Sequence, residues 1–189
     1  ALWTMDQLGS GRSFTGKPIE HGGTDYDKIG IAGLGVAIAG KTLLEQKGFS
    51  AKDSTFSIQG VGAMGGAVLR YFSEHGGILK SLSDVKYGGT WVFDKPVSQS
   101  LIDNPSPEAV AAEGTKISND PAGALYDDVQ ITFPCALEDS ITMDNVAKVK
   151  APFIAEGANN PTTDDAHPVR LAGASKGRCL HGLDHPRFD

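Results

Sequence analysis

The sequence predicts an α/β fold, a mostly parallel sheet flanked by helices, and three observations carry that expectation. Short apolar runs alternate with helix-patterned segments along most of the 189 residues, the rhythm of successive βαβ units. The segment Thr55 to Gly66, TFSIQGVGAMGG, sets Gly60, Gly62 and Gly65 in a GxGxxG pattern between a strand-like run and a helix-like one. Ser83-Asp84 then arrives roughly 20 residues past that loop, where an acidic group can hydrogen-bond a ribose. Together these make the expected fold Rossmann-like.

The elements follow in order. Strands are predicted at Ser54–Gln59, Ile78–Ser83, Thr115–Ser118, Val129–Phe133, Phe153–Glu156 and Arg178–Leu180. Helices are predicted at Lys28–Gln46, Ala63–His75, Pro107–Glu113, Pro121–Tyr126 and Met143–Val149, the first with Ile31, Leu34, Ile38 and Leu43 at helical spacings. Asp25 or Asp27 suits its N-cap and Gly48 its end. Gly30, Gly33, Gly35 and Gly40 weaken that helix by about 1 kcal/mol each where exposed, so close packing is the first explanation for them and ligand contact the second. Gly9–Gly23 and Tyr87–Ser106 read as loops. Right-handed crossovers between parallel strands put the glycine loop, Asp84, Pro134 and Gly157 on one rim, at the carboxyl ends of the strands.

Composition narrows the function. A net charge of −6 and the lack of a Lys/Arg tract argue against a nucleic-acid surface. No apolar run of about 18 residues suggests a membrane span, and no secretory signal pattern is present. Cys135 and Cys179 lack CxxC spacing and fit a reducing compartment, so cytoplasm is expected. The chain starts at Ala1 rather than Met, compatible with processing or with excision from a longer protein.

The glycine loop carries the clearest chemistry. Gly60 permits a tight strand-to-helix turn, Gly62 admits a pyrophosphate close to backbone, and Gly65 lets helix and strand pack closely while the helix N-terminus faces the anion. Val61, Ala63 and Met64 complete the candidate phosphate loop. Asp84 is the candidate ribose ligand.

Four further strings, WTMD at Trp3–Asp6, TGKP with GG at Thr15–Gly23, PCALEDSIT at Pro134–Thr142 and EGANNPTT at Glu156–Thr163, resemble the glutamate dehydrogenase branch of the glutamate, leucine, phenylalanine and valine dehydrogenase superfamily. The resemblance implies that residues 1–189 form the NAD(P)-binding domain, with 1–23 as a leading connecting segment, and that an amino-acid-binding catalytic domain lies outside this chain. It also implies a homo-oligomer for the full-length protein. By that likeness, Pro134, Cys135 and Ala136 line the path from adenosine to nicotinamide, and Asn159 reaches toward the nicotinamide end. Asn159 equally suits an Asx-turn before Pro161, and Glu156 suits a carboxylate that fixes its loop. Asp84 favours NAD, because a carboxylate there repels a 2′-phosphate; Lys86, close enough to neutralise one, keeps NADP open.

This sequence departs from the family in Gly22–Val36, where one extra residue aligns Lys28 with an arginine and Ala32 with a threonine that contacts the nicotinamide carboxamide. Ala63-Met64 replace a commoner Asn-Val pair. The resemblance places the catalytic lysine and aspartate before Trp3, so no catalytic residue is assigned, and Lys17, Lys28 and Lys41 read as surface lysines. His181 and His185 have i, i+4 spacing, but Gly182 and the absence of HExxH disfavour a metal site. Cys135 reads as an inert buried thiol, and Ser10, Ser13 and Ser57 lack a GxSxG elbow. The expected activity is oxidative deamination of glutamate with hydride transfer to NAD(P). The competing possibility is a non-catalytic nucleotide-binding or interaction module on the same fold.

Overall fold

In the computed structural model, which describes residues 2–12 and 16–169, β1 (Thr55–Gln59) lies between β2 (Ile78–Asp84) and β5 (Ile131–Pro134). β3 (Gly89–Val92), β4 (Thr115–Ser118) and β6 (Phe153–Ile154) complete a six-stranded sheet in the order β4-β3-β2-β1-β5-β6. The β1–β2, β1–β5 and β5–β6 pairs are parallel, whereas β3 runs antiparallel to both neighbours. Two antiparallel pairings in succession return β4 to the direction of β2.

The helices are α1 (Leu2–Leu8), α2 (Tyr26–Ile29), α3 (Ile31–Gln46), α4 (Ala63–Glu74), α5 (Gln99–Asp103) and α6 (Pro107–Glu113). The helix expected from Lys28 to Gln46 is broken. Gly30, at φ +66°, ends α2 and caps α3, a left-handed conformation that a side chain would strain. The Asp25 carboxylate accepts from Lys28 N–H at 3.2 Å, as the capping pattern anticipates. At the other end Phe49 N–H donates to Leu44 O and Gly48 N–H to Glu45 O, a Schellman closure.

Three more expectations need correction. Tyr87–Ser106 contains β3 and α5 rather than only loop, because Gly88 at φ +67° turns the chain back on itself and just four residues then pair with β2. Pro121–Tyr126 and Met143–Val149 form only single 3-10 turns, at Gly123–Tyr126 and Val146–Lys148. Gly9–Gly23, expected as loop, holds a single 3-10 turn at Ile19–His21, and α1 precedes it within the leading segment. The expected strand Arg178–Leu180 and the pair His181 and His185 lie outside the described residues.

Strand alternation gives the sheet two unlike faces. Phe56, Ile58, Ile131 and Phe133 are buried on one face, where Phe56, Phe72 and Phe133 meet edge to face with centroids 5.0 to 6.0 Å apart. α3 reaches this face through Gly40, where a methyl group would come within 2.9 Å of the Phe133 ring. The opposite face carries buried hydroxyls: Ser57 donates to Thr132 Oγ1 at 2.7 Å, and Ser83 Oγ accepts from Ala124 N–H at 3.2 Å. A smaller cluster of Leu125, Ile141, Val146, Ile154 and Ala166 supplements it. Among the described residues no helix is long and apolar enough to cross a membrane.

Candidate functional site

The glycine loop joins β1 to α4 at the carboxyl rim of the parallel strands, and each of its three pattern glycines meets a different neighbour. Gly60 has φ +86°, and a methyl group there would lie 2.5 Å from Ala136 Cα. Gly65 is tighter still, with a methyl position 1.8 Å from Gly60 O. Gly62, the α4 N-cap, faces open space: nothing lies within 4 Å of a methyl group built on it.

That open side is where donors are left over. Gly66 N–H makes the first bond of α4, to Gly62 O at 2.8 Å, so the N–H groups of Ala63, Met64 and Gly65 project from the helix end. Gly62 offers no side chain to satisfy them. Their dipoles favour an anion in the space that Gly62 leaves clear.

Asp84, at the end of β2, braces this loop. Its Oδ2 accepts from Val61 N–H at 2.6 Å and its Oδ1 from Lys86 N–H at 2.8 Å. A carboxylate holding two backbone donors fixes the loop against the neighbouring strand end.

The rest of the rim comes from two loops laced together. Cys135 N–H donates to Gln59 O at 2.7 Å, and the N–H groups of Gly157 and Ala158 both donate to Pro134 O, at 2.9 and 3.0 Å. Farther out, Asp139 N–H donates to Asn160 O and Ile141 N–H to Pro161 O, and Ile141 bridges to Thr162 in parallel. The segments Pro134–Thr142 and Glu156–Thr163 are therefore one structural unit. Asp139 and Asn160 turn it with φ of +53° and +43°, a conformation that short polar side chains tolerate better than most. Glu156 Oε1 accepts from Thr162 Oγ1 at 2.5 Å, the loop-fixing contact weighed for it in the sequence.

Cys135 is buried, and burial pushes its thiol up to about 12, so it is a protonated packing group at neutral pH. Its Sγ would meet a methyl group on Gly157 at 2.6 Å, and Met64 Cγ would meet it at 3.1 Å, which ties the glycine loop to the strand ends beyond it. Ala136 and Asn159 are exposed on this rim. All eleven candidate residues, Gly60 to Gly65, Asp84, Pro134 to Ala136 and Asn159, thus fall along one edge of the sheet.

A cavity of about 380 Å³ opens beside the loop, lined by Val61, Gly62, Ala63, Gly66 and Ala67, and farther out by Arg70, Lys86 and Asp103 to Pro105. Sequence reasoning missed Arg70 and the Asp103–Pro105 wall. Ala63, Gly66, Ala67 and Arg70 have the i, i+3, i+4, i+7 spacing of one helix face, a signal that points to Arg70. The wall at the C-terminal end of α5 gives no signal, because the sequence of Tyr87–Ser106 reads as loop. Tyr87, packed behind this region, is raised to about 12, by burial first and the Asp84 charge second.

Residues 22–172 match the family model described as Glutamate/Leucine/Phenylalanine/Valine dehydrogenase. The chain is 32% identical over 179 residues to glutamate dehydrogenase A2 of Halobacterium salinarum, covering 88% of this chain and 41% of that protein. It is also 32% identical over 160 residues to the NADP-specific glutamate dehydrogenase of Saccharolobus shibatae, covering 82% of this chain and 37% of that one. The chain thus spans about two fifths of the length of these curated relatives. Among solved structures, Plasmodium falciparum glutamate dehydrogenase superposes with a TM-score of 0.73 at 19% identity, over 89% of this chain and 38% of that one. The hetero-hexameric glutamate dehydrogenase of Thermus thermophilus gives 0.72 at 20% identity, over 91% and 42%. At those identities the structural likeness speaks for the fold.

Proposed function

The chain belongs to the glutamate, leucine, phenylalanine and valine dehydrogenase family, and from that premise we propose that it is the nicotinamide-dinucleotide-binding domain of an enzyme that oxidatively deaminates glutamate to 2-oxoglutarate and ammonia. Residues 1–189 form that domain in this reading, with 1–23 as its leading connection, and the amino acid is held by a domain outside the chain. The full-length protein is a cytoplasmic homo-oligomer.

One observation carries the reading: in the GxGxxG turn, Gly60 and Gly65 are hemmed in by protein while Gly62 alone opens onto free space at the N-terminus of α4. That arrangement fits a pyrophosphate. The N–H groups of Ala63, Met64 and Gly65 hold its oxygens without a cation, and Asp84 keeps Val61 and the loop in position. Pro134, Cys135 and Ala136 supply backbone and small side chains along the rim, and the Asn159 amide donates and accepts there without adding charge. When bound, the nicotinamide supplies the hydride acceptor. Cys135 stays protonated and takes no part in proton transfer, while Glu156, engaged by Thr162, orders its loop.

Calorimetric titration of the chain with NADH and NADPH tests the reading. Binding of at least one is expected, raising thermal stability by about 2.7 kcal/mol at a ligand concentration 100 times the dissociation constant. Failure of a folded chain to bind either favours a non-catalytic interaction module.

A further inference from the structure

We infer that Arg70 and Tyr71 are positioning residues: from α4 they clamp the carbonyl of Ile29, fix the angle at which the leading connection departs at Gly30, and so set the pose in which the amino-acid-holding domain meets the cofactor. That role rests on the two-domain reading above, whereas the clamp itself rests on geometry alone.

Burial draws the boundary. Among the described residues before Gly30 none is buried, whereas Gly30 is, and the apolar Trp3, Leu8, Ile19, Tyr26 and Ile29 are all exposed. A segment that buries no side chain gains little from the hydrophobic effect, so its bearing on the rest of the chain depends on hydrogen bonds.

Two such bonds converge on one atom. Tyr71 Oη donates to Ile29 O at 2.5 Å and Arg70 Nη2 at 2.6 Å. That carbonyl is available because Gly30, at φ +66°, interrupts the helix: Gly30 N–H closes α2 onto Tyr26 O, and Leu34 N–H makes the first bond of α3, to Gly30 O. The last carbonyl of α2 is therefore left without a partner in its own helix. Both donors are held in place. The Tyr71 ring packs against the main core, and the Arg70 guanidinium lies 4.6 Å from the centroid of that ring.

Gly30 has the backbone freedom of a hinge, and its neighbours on α4 take that freedom away. A methyl group on Gly30 would lie 2.6 Å from Ala67 Cβ, and one on Gly33 would lie 2.6 Å from Met64 O. Met64, Ala67 and Tyr71 follow at i, i+3 and i+7 on one face of α4, the helix whose N-cap is Gly62. One rigid helix thus carries the dinucleotide loop at its start and the root of the leading connection along its next turns. Loosening the clamp displaces whatever the connection carries relative to the cofactor.

Hydrogen exchange of the folded 189-residue chain reads the clamp, and the kinetics of a longer polypeptide carrying the amino-acid-binding domain read its consequence. Tyr71→Phe keeps the ring in the core and removes only the hydroxyl; it is expected to speed exchange of the Ile29 and Gly30 amides about tenfold. Arg70→Lys is expected to do so to a smaller extent, with the amides of β1 and β5 unchanged in both variants. In the longer protein Tyr71→Phe is expected to lower kcat about tenfold, while the affinity of the 189-residue chain for NADH or NADPH stays within about twofold of wild type. Unchanged exchange in both variants, faster exchange with wild-type kcat, or a larger loss of dinucleotide affinity overturns the inference and leaves the dinucleotide reading standing. A wild-type longer polypeptide that turns over no amino acid overturns the two-domain reading, and the positioning role with it.

Discussion

The first turn of α4 runs so close to the end of β1 that a methyl group on Gly65 would lie 1.8 Å from the carbonyl oxygen of Gly60. Backbone cannot yield there as a flexible side chain would, so helix and strand must separate to admit it. Gly65→Ala is therefore expected to lose stability although alanine improves helix propensity by ~1 kcal/mol; overpacking of this kind costs ~1–3 kcal/mol or more. Urea denaturation measures the difference. A midpoint equal to or above wild type would contradict the packing described for this turn.

Gly62 gives the opposite result. A side chain there meets no protein atom, and its φ of −82° does not demand glycine, so the fold of Gly62→Val should survive with a near-native denaturation midpoint. The branched side chain would instead fill the space in front of the α4 N-terminus, and dinucleotide binding should be lost. Retention of wild-type affinity by the folded variant would show that no phosphate sits over Gly62.

These paired expectations also show what the sequence reveals and what it hides. The GxGxxG spacing conveys the turn because each glycine answers a local steric demand that spacing expresses directly. Gly30 is different: it reads as one more glycine in a periodic helix, and only its packing against Ala67 and its φ of +66° reveal a junction between two helices. β3 is hidden because four residues following Gly88 are too few to show alternation, and its pairing with β2 is decided by the turn. The 3-10 turns at Gly123–Tyr126 and Val146–Lys148 keep helix-like spacing without enough residues to nucleate an α-helix. The place of Asp84 at the end of β2 is legible in the sequence, but its partners are not, since whether a carboxylate faces solvent or loop amides depends on where Val61 N–H comes to lie.

Alkaline stability offers a test independent of any ligand. Burial raises Cys135 from 9.0 to about 12, and Tyr87 from 10.0 to about 12. In the unfolded chain both groups lose their protons near their ordinary values, whereas the folded chain retains them longer. Their contribution to stability is thus fully present below about pH 9 and is lost progressively as pH rises from 9 to 12. The urea midpoint should fall across that window, and Cys135→Ala should make the fall shallower at its lower edge, where the thiol is the group that differs. An identical pH slope in wild type and variant would show that the thiol is not held protonated by the fold.

The 189-residue chain alone is expected to bind a dinucleotide without oxidising glutamate. Amino-acid oxidation needs the substrate carbon held against the hydride acceptor, a cation for the substrate carboxylate and groups that move protons at the amine. The rim described here provides backbone donors, Ala136, Asn159 and a protonated Cys135, which orient a cofactor but offer no proton-transfer pair. The close lysine–carboxylate pair among the described residues, Lys41–Glu45, lies on α3 one helical turn apart, with both side chains partly or fully solvated. Holding reactants in register contributes ~7–11 kcal/mol to lowering a barrier, so a surface that positions one reactant should show no measurable turnover. Formation of NADH or NADPH would be followed with glutamate, leucine and phenylalanine, first with this chain and then with a longer polypeptide carrying an added amino-acid-binding domain. Activity confined to the longer protein supports the assignment of this chain as the cofactor half, whereas robust turnover by the 189 residues alone would require a catalytic pair within them and would sink it.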